Sequence, residues 1–259
     1  MPSPLYAHTA AFCKAARCVA HLLHGMLTVA RFFGKATAQQ KAQHIAQWAS
    51  DFLRILGVQV RTTGSAVTSG PLLVVANHIS WLDILVMLAV QPVRFVSKSD
   101  VKHWPLVGWL ATHAGTLYIV RASRRDALRV VHHIAEALRE APAGTPVHTA
   151  SIIAVFPEGT TSDGSSVLPF HANLVQAAIS AHAPVQAVAL RYQDAVTGAL
   201  SMVPAYVDDD TLLTSVWRLL AAPPVAAVVS FSALQRAEGR DRRAWALDLR
   251  DDVAKALDA

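Results

Sequence analysis

The chain has 259 residues and a mass of 27.8 kDa, enough for one large α/β domain with a sizeable core. Hydrophobic residues make up 53% and charged residues 16%, against ~25% charged in ordinary soluble domains, so disorder is excluded and an unusually apolar surface is expected. The 23 Lys and Arg against 18 Asp and Glu leave a net charge of +5, too mild and dispersed for a nucleic-acid groove but suited to an anionic lipid surface.

Residues 10–35 are the first predicted element. Lys14, Arg17 and Arg31 interrupt every window of the ~20 apolar residues that a spanning helix needs, and no basic residue precedes Lys14, as a cleaved leader would require. On a helical wheel Lys14, Arg17, His21, His24, Arg31 and Lys35 share an arc of about 100°, while Phe12, Val19, Leu22, Leu23, Met26, Leu27, Val29 and Phe33 fill about 160° opposite. A basic side facing a Leu/Phe/Met side is the pattern of a helix lying in a bilayer interface, its cations against anionic headgroups. A second amphipathic stretch, residues 38–56, follows at once, so residues 1–57 are expected to be a membrane-associating helical pair and residues 58–259 a separate domain. The two cysteines, Cys13 and Cys18, point to different sides of the first helix and form no disulfide framework, which fits a reducing compartment.

Beyond residue 58, short β-branched runs alternate with helical patterns: Leu72 to Ala76, Val93 to Ser97, Thr116 to Val120, Ile152 to Phe156, Val185 to Tyr192 and Val225 to Phe231. Near-continuous apolarity in LLVVA and IIAVF predicts strands covered on both faces, hence an α/β fold with a mostly parallel sheet flanked by helices. Ala141 to Thr149 reads as a surface loop. Ser165 to Leu190 carries no charge but contains two prolines, and reads as a buried helix and strand rather than a span. Near the end, Trp245, Leu249, Val253 and Leu257 fall on one helical stripe.

In such a sheet ligands gather at the carboxyl ends of the strands, and two polar clusters follow apolar runs directly. The first is Asn77-His78-Ile79-Ser80-Trp81-Leu82-Asp83. Ser80 to Asp83 has the form of a capping box, which starts a helix at Ser80 and puts Asp83 in its first turn. From there Asp83 either merely caps the helix or reaches back to hold the imidazole of His78, fixing its tautomer as a general base. The second cluster is Phe156 to Gly164, in which Glu158, Thr160 and Ser162 can hydrogen-bond a polyol and Gly159 permits close backbone approach. Arg121, at the end of its run, is a fixed cation suited to phosphate, whereas Lys98 reads as a solvated charge. There is no nucleophile elbow, P-loop, dinucleotide fingerprint or H-E-x-x-H motif.

NHISWLD, GTLYIVR, FPEGT and APVQAVAL, spread over residues 72–192, resemble in order the four blocks of the glycerolipid acyltransferase family. The resemblance implies transfer of a fatty acyl group from a thioester, acyl-CoA or acyl carrier protein, to the free hydroxyl of a lysolipid such as 1-acyl-glycerol-3-phosphate, with no metal and no cofactor beyond the acyl donor. It assigns His78 as general base, Asp83 as its partner, Arg121 to the acceptor phosphate, Glu158, Gly159 and Thr160 to acceptor binding, and Pro184 to the acyl side. It also implies an enzyme seated on the cytoplasmic face of the inner or plasma membrane. The family usually continues FPEGT with Arg, where this chain has Thr161, and the missing cation admits lyso-ornithine lipid as an alternative acceptor. A hydrolase that activates water with the same pair, and a non-catalytic lipid-binding protein, are the remaining alternatives.

Overall fold

The computed structural model describes residues 4–119, 124–140 and 152–258. Helix α1 (Pro4–Thr28) runs into a π-helical turn (Val29–Phe33) and is followed by α2 (Ala38–Leu56). Strands β1 (Val58–Thr63) and β2 (Leu72–Ala76), helix α3 (Leu82–Val90) and strand β3 (Arg94–Lys98) come next. A 3₁₀ turn (Ser99–His103), α4 (Val107–His113), β4 (Leu117–Ile119), α5 (Arg124–Arg139) and β5 (Ile152–Val155) follow. The chain ends with α6 (Ala172–Ala181), β6 (Val185–Asp194), α7 (Leu212–Ala221), β7 (Val225–Gln235) and α8 (Arg242–Asp258).

The strands form one seven-stranded sheet in the order β1-β7-β6-β2-β5-β3-β4. β2 pairs in parallel with β5 and β6, and β3 in parallel with β5 and β4. The single reversal is at β7, which is antiparallel to β6 and parallel to β1. The continuous apolarity of β2 has the expected cause: Leu72, Val74 and Ala76 enter one core, Leu73 and Val75 the other, and all five are buried. Each of the four Leu and Val side chains contributes on the order of 1.5–3 kcal/mol relative to exposure. The first core joins the sheet to residues of α1, α2, α3 and α7, the second to residues of α5, α6 and α8. In α8 the stripe Trp245, Leu249 and Val253 is completely buried.

Strand β1 has no counterpart among the sequence-read runs. Only Val58 of VQVRTT is buried, because the strand lies at the sheet edge with one paired neighbour and carries no apolar signature. α2 has the expected bounds and starts with a complete capping box, Thr37 with Gln40.

The orientation of α1 differs in part from the wheel reading. Lys14 donates to the Leu220 carbonyl, and His21 pairs with the Trp48 carbonyl while stacking on the Trp48 ring. These two members of the basic arc therefore face the protein, because the small residues Ala11, Cys18 and Gly25 beside them let α1 pack closely along that side. Phe12, Val19, Leu23 and Leu27 remain exposed, with Arg17, His24, Arg31 and Lys35 also in solvent. The π-turn changes the helical phase, so Phe32 is exposed and Phe33 buried. Among the described residues no helix is long and apolar enough to cross a membrane.

Candidate active site

The parallel arrangement brings the carboxyl ends of β2, β5 and β3 to one edge of the sheet, where both polar clusters lie. Asn77, the first residue past β2, is fully buried. Its side-chain amide donates to the Leu190 carbonyl at 2.9 Å and its Oδ1 accepts from the Leu190 N–H at 2.7 Å. This two-point bond to β6 fixes where the next residue, His78, leaves the sheet.

His78 Nδ1 is 2.8 Å from Asp83 Oδ2. The same oxygen accepts the backbone N–H groups of Ile79 at 2.7 Å and Ser80 at 2.9 Å, and Asp83 Oδ1 accepts the Tyr192 hydroxyl at 2.7 Å. Capping and imidazole support are therefore one arrangement of one carboxyl group, not alternatives. The helix itself starts at Leu82 rather than at Ser80, with Trp81 at its cap and no side-chain cap bond, and Ser80 Oγ accepts from the Leu82 N–H, two residues on rather than the three of an ideal box. With Asp83 as acceptor the proton sits on Nδ1 and the Nε2 lone pair is free. Asp83 is fully buried whereas the His78 side chain is 19% exposed, so the pair is anchored at its inner end and open at the imidazole.

The second cluster wraps around the first. Phe156 stacks on the His78 ring at 3.9 Å, nearly parallel, and fixes the ring plane. Glu158 Oε1 accepts the His78 N–H at 3.1 Å, while Ser162 N–H donates to the His78 carbonyl at 2.8 Å. Both main-chain groups of His78 are thus held by the loop after β5. Gly159 takes a left-handed φ of +73°, which a side chain would strain, and this lets the loop turn back toward β2. Glu158 is 5% exposed, and its Oε2 is buried with no hydrogen-bond partner among the described residues. Burial pushes its carboxyl up to about 7, with the nearby Asp83 charge adding to the rise and the backbone N–H groups of His78 and Leu168 and the charge of Arg250 opposing it. The loop thus presents a poorly satisfied carboxyl one hydrogen bond from the imidazole residue.

The acyltransferase family model matches residues 57–191, just over half of the chain. The chain belongs to the acyltransferase family. Its relatives include the 1-acyl-sn-glycerol-3-phosphate acyltransferase of Neisseria gonorrhoeae, 39% identical over 188 residues that cover 72% of this chain and 68% of the relative. The lyso-ornithine lipid O-acyltransferase of Pseudomonas aeruginosa is 36% identical over 211 residues, covering 81% and 76%. The crystal structure of the 1-acyl-sn-glycerophosphate (LPA) acyltransferase PlsC from Thermotoga maritima has the same fold, with a TM-score of 0.59 at 17% identity over 95% of this chain and 98% of that one.

Of the residues read from the sequence of this acyltransferase-family chain, His78, Asp83, Glu158 and Gly159 come together, and Thr160 follows them on the same loop with its side chain exposed. Thr161 donates to the Tyr206 carbonyl, so its hydroxyl ties the loop to the segment before α7. Arg121 lies outside the described residues, as does the loop 141–149. Lys98 ends β3 exposed, in keeping with a solvated charge. Pro184 lies at the opposite edge of the sheet, where its carbonyl accepts from the Leu73 N–H. The length of β2 separates it from His78, and its visible contact aligns β6 with β2. Tyr192 and Asn77 were given no role by sequence. A tyrosine ending the apolar run AVALRY signals a buried phenol in need of a partner, but nothing in the sequence identifies that partner as a residue 109 positions earlier. Among the described residues no group of three or more His, Cys, Asp or Glu side chains is placed to hold a metal.

Proposed function

We propose that this protein is a lysolipid O-acyltransferase that moves a fatty acyl group from acyl-CoA or acyl carrier protein to the free hydroxyl of 1-acyl-glycerol-3-phosphate. The observation that carries the reading is the His78–Asp83 pair, 2.8 Å apart at the sheet edge and clasped by the Glu158 loop, in a chain whose relatives include an enzyme named for that acceptor. His78 Nε2 takes the proton as the acceptor oxygen attacks the thioester carbonyl, and backbone N–H groups at the strand ends stabilise the oxyanion. Collapse of the tetrahedral adduct breaks the C–S bond, and the imidazolium returns its proton to the departing thiolate, which leaves an ester and a free thiol. No acyl-enzyme forms. Glu158, Gly159 and Thr160 bind the acceptor's glycerol, and Arg121 its phosphate.

A second acceptor is favoured by one observation. Where the family pattern has Arg, Thr161 hydrogen-bonds the Tyr206 carbonyl and supplies no charge, and a relative that aligns over 81% of this chain is named for lyso-ornithine lipid. Offering each lysolipid separately with a labelled acyl thioester decides between them: transfer to lysophosphatidate supports the first acceptor, transfer to lyso-ornithine lipid alone supports the second.

The protein works at the cytoplasmic face of a membrane in this reading, with α1 in the bilayer interface. The support is the row Phe12, Val19, Leu23 and Leu27, which stays exposed although the opposite side of α1 is packed on the protein. Apolar area of this kind, flanked by Arg17 and His24, favours the headgroup boundary. Because Ala11 and Cys18 belong to the core, removing the whole segment would expose that core. Leu23→Asn with Leu27→Asn is the cleaner test, and vesicle binding unchanged by it would contradict the anchor.

A further inference from the structure

The segment between β3 and α4 is an unusual surface. Lys102, His103, Trp104, Pro105, Leu106 and Val107 are six consecutive exposed residues, and the three large apolar ones are exposed by 41% (Trp104), 39% (Leu106) and 37% (Val107). The local structure holds them outward. Leu106 has φ 61° and ψ −54°, and the Val107 N–H donates to the Pro105 carbonyl at 2.6 Å, which makes a γ-turn of the rare, strained sign with a leucine at its apex. The turn is closed by the Gly108 N–H on the Trp104 carbonyl at 2.9 Å. A Cβ on Gly108 would stand 2.3 Å from the Lys102 carbonyl oxygen, so a glycine is required there. This strained, tightly closed turn displays Trp104, Leu106 and Val107 to solvent among the described residues.

Its position in the fold is informative. β3 is parallel to β5, and β5 to β2, so this turn emerges at the same sheet edge as His78. The middle of α1, at Lys14, reaches that edge on the other flank. Lys14 bonds the Leu220 carbonyl near the end of α7; Val225, which follows α7, pairs with Asp194 at the carboxyl end of β6 and with Val58 at the start of β1. The strand order sets β1 and β7 on one side of β2 and β3 on the other, with the dyad between.

We propose that Lys102–Val107 is a second membrane-contact element, inserting Trp104, Leu106 and Val107 into the interface of an anionic bilayer beside the active site. The inference rests on the membrane reading above and extends it: α1 on one flank and this turn on the other hold the His78 edge against the lipid that supplies the acceptor. Trp is the side chain most at home at the headgroup boundary. The exposed Lys98 and Lys102 stand where phosphates would lie, and Asp100 is the one acid in the segment. A second copy of the chain is the poorer occupant, because a specific protein interface needs roughly 1,200 Å² or more and three side chains on one turn provide far less.

The test uses the full chain with vesicles of phosphatidylcholine, with and without phosphatidylglycerol. Trp104→Gln with Leu106→Asn, a pair that keeps a residue tolerant of positive φ at the apex, is expected to weaken sedimentation with anionic vesicles about tenfold or more. It is also expected to raise KM for vesicle-borne lysolipid, while leaving kcat on a monomeric short-chain lysolipid and the melting temperature unchanged. Leu23→Asn with Leu27→Asn is run beside it. If only the α1 variant releases the protein, the second contact is wrong and the membrane reading stands; if wild type itself ignores vesicles, both fail. Equal loss on the soluble lysolipid, or a change of oligomeric state without a change in vesicle binding, also overturns the proposal. Should the double variant not fold, quenching by brominated lipid decides: wild type should show a quenched component that Trp104→Phe lacks, and identical quenching in the two refutes the contact.

Discussion

Replacing Tyr192 by Phe removes one oxygen from a side chain that is 1% exposed and leaves its packing in place. Burial, and then the adjacent Asp83 charge, hold the phenol well above its ordinary pKa, so it is a donor throughout the working range. The bond lost is the 2.7 Å contact to Asp83 Oδ1, a hydrogen bond to a charged acceptor worth about 1.5–3 kcal/mol once the stranded oxygen is counted. At ~2–4 °C per kcal/mol for a chain of this size, the melting temperature should fall by about 3–12 °C. Asp83 Oδ2 keeps its three donors, so His78 remains supported but less firmly oriented, and kcat should fall about tenfold, equivalent to 1.4 kcal/mol of the barrier, with KM for both substrates unchanged. Scanning calorimetry and initial rates of acyl transfer measure the two effects. In a His78→Ala background the same change should lower stability but cost no further rate, because Tyr192 acts through the imidazole's partner. A melting temperature shifted by less than about 1 °C, or an equal proportional loss of rate without His78, would refute the assignment.

Asp83→Asn should abolish transfer and also destabilise the fold, because the new amide places N–H groups against the Ile79 and Ser80 donors; His78→Ala, read in the same urea titration, should keep most of the stability. Glu158 titrates in a direction that can be checked: burial raises its carboxyl from the ordinary 4.5 to about 7, so the folded state binds the extra proton between those values. Its contribution to stability is fully present below about pH 4.5 and is lost as pH rises through about 7. Glu158→Gln should therefore be more stable than wild type at pH 8 and lose that advantage by pH 5, measured as urea midpoints. At Gly25 a Cβ would stand 2.4 Å from Trp48 Nε1, the atom that donates to the His21 carbonyl, so Gly25→Val should loosen α1 from α2 at a cost of about 1–3 kcal/mol while transfer by the folded fraction is retained.

Six of the seven strands were legible as short apolar or β-branched runs, most plainly where the strand is buried on both faces, as LLVVA shows by feeding two cores alternately. β1 was not, since an edge strand with one buried residue carries no such pattern. The dyad was legible because its members are five residues apart across one strand-to-helix turn, so local geometry alone brings them together. The clasp of Glu158 and Ser162 on the His78 backbone depends on β5 lying beside β2, and the Tyr192 bond on β6 lying on the other side. Both are products of strand order, which no local pattern encodes. For α1 the wheel identified the apolar side, but which side packs was decided by Ala11, Cys18 and Gly25, whose small size admits close approach.

The most direct test of the central claim is single-turnover transfer from a labelled acyl thioester to a lysolipid on membranes, following free thiol and diacyl product together for wild type and His78→Ala. The expected result is one thiol released per ester formed in wild type, with neither above background in the variant and no label left on the protein. Product formation by His78→Ala at the wild-type rate, or label trapped on a side chain, would contradict direct attack assisted by His78.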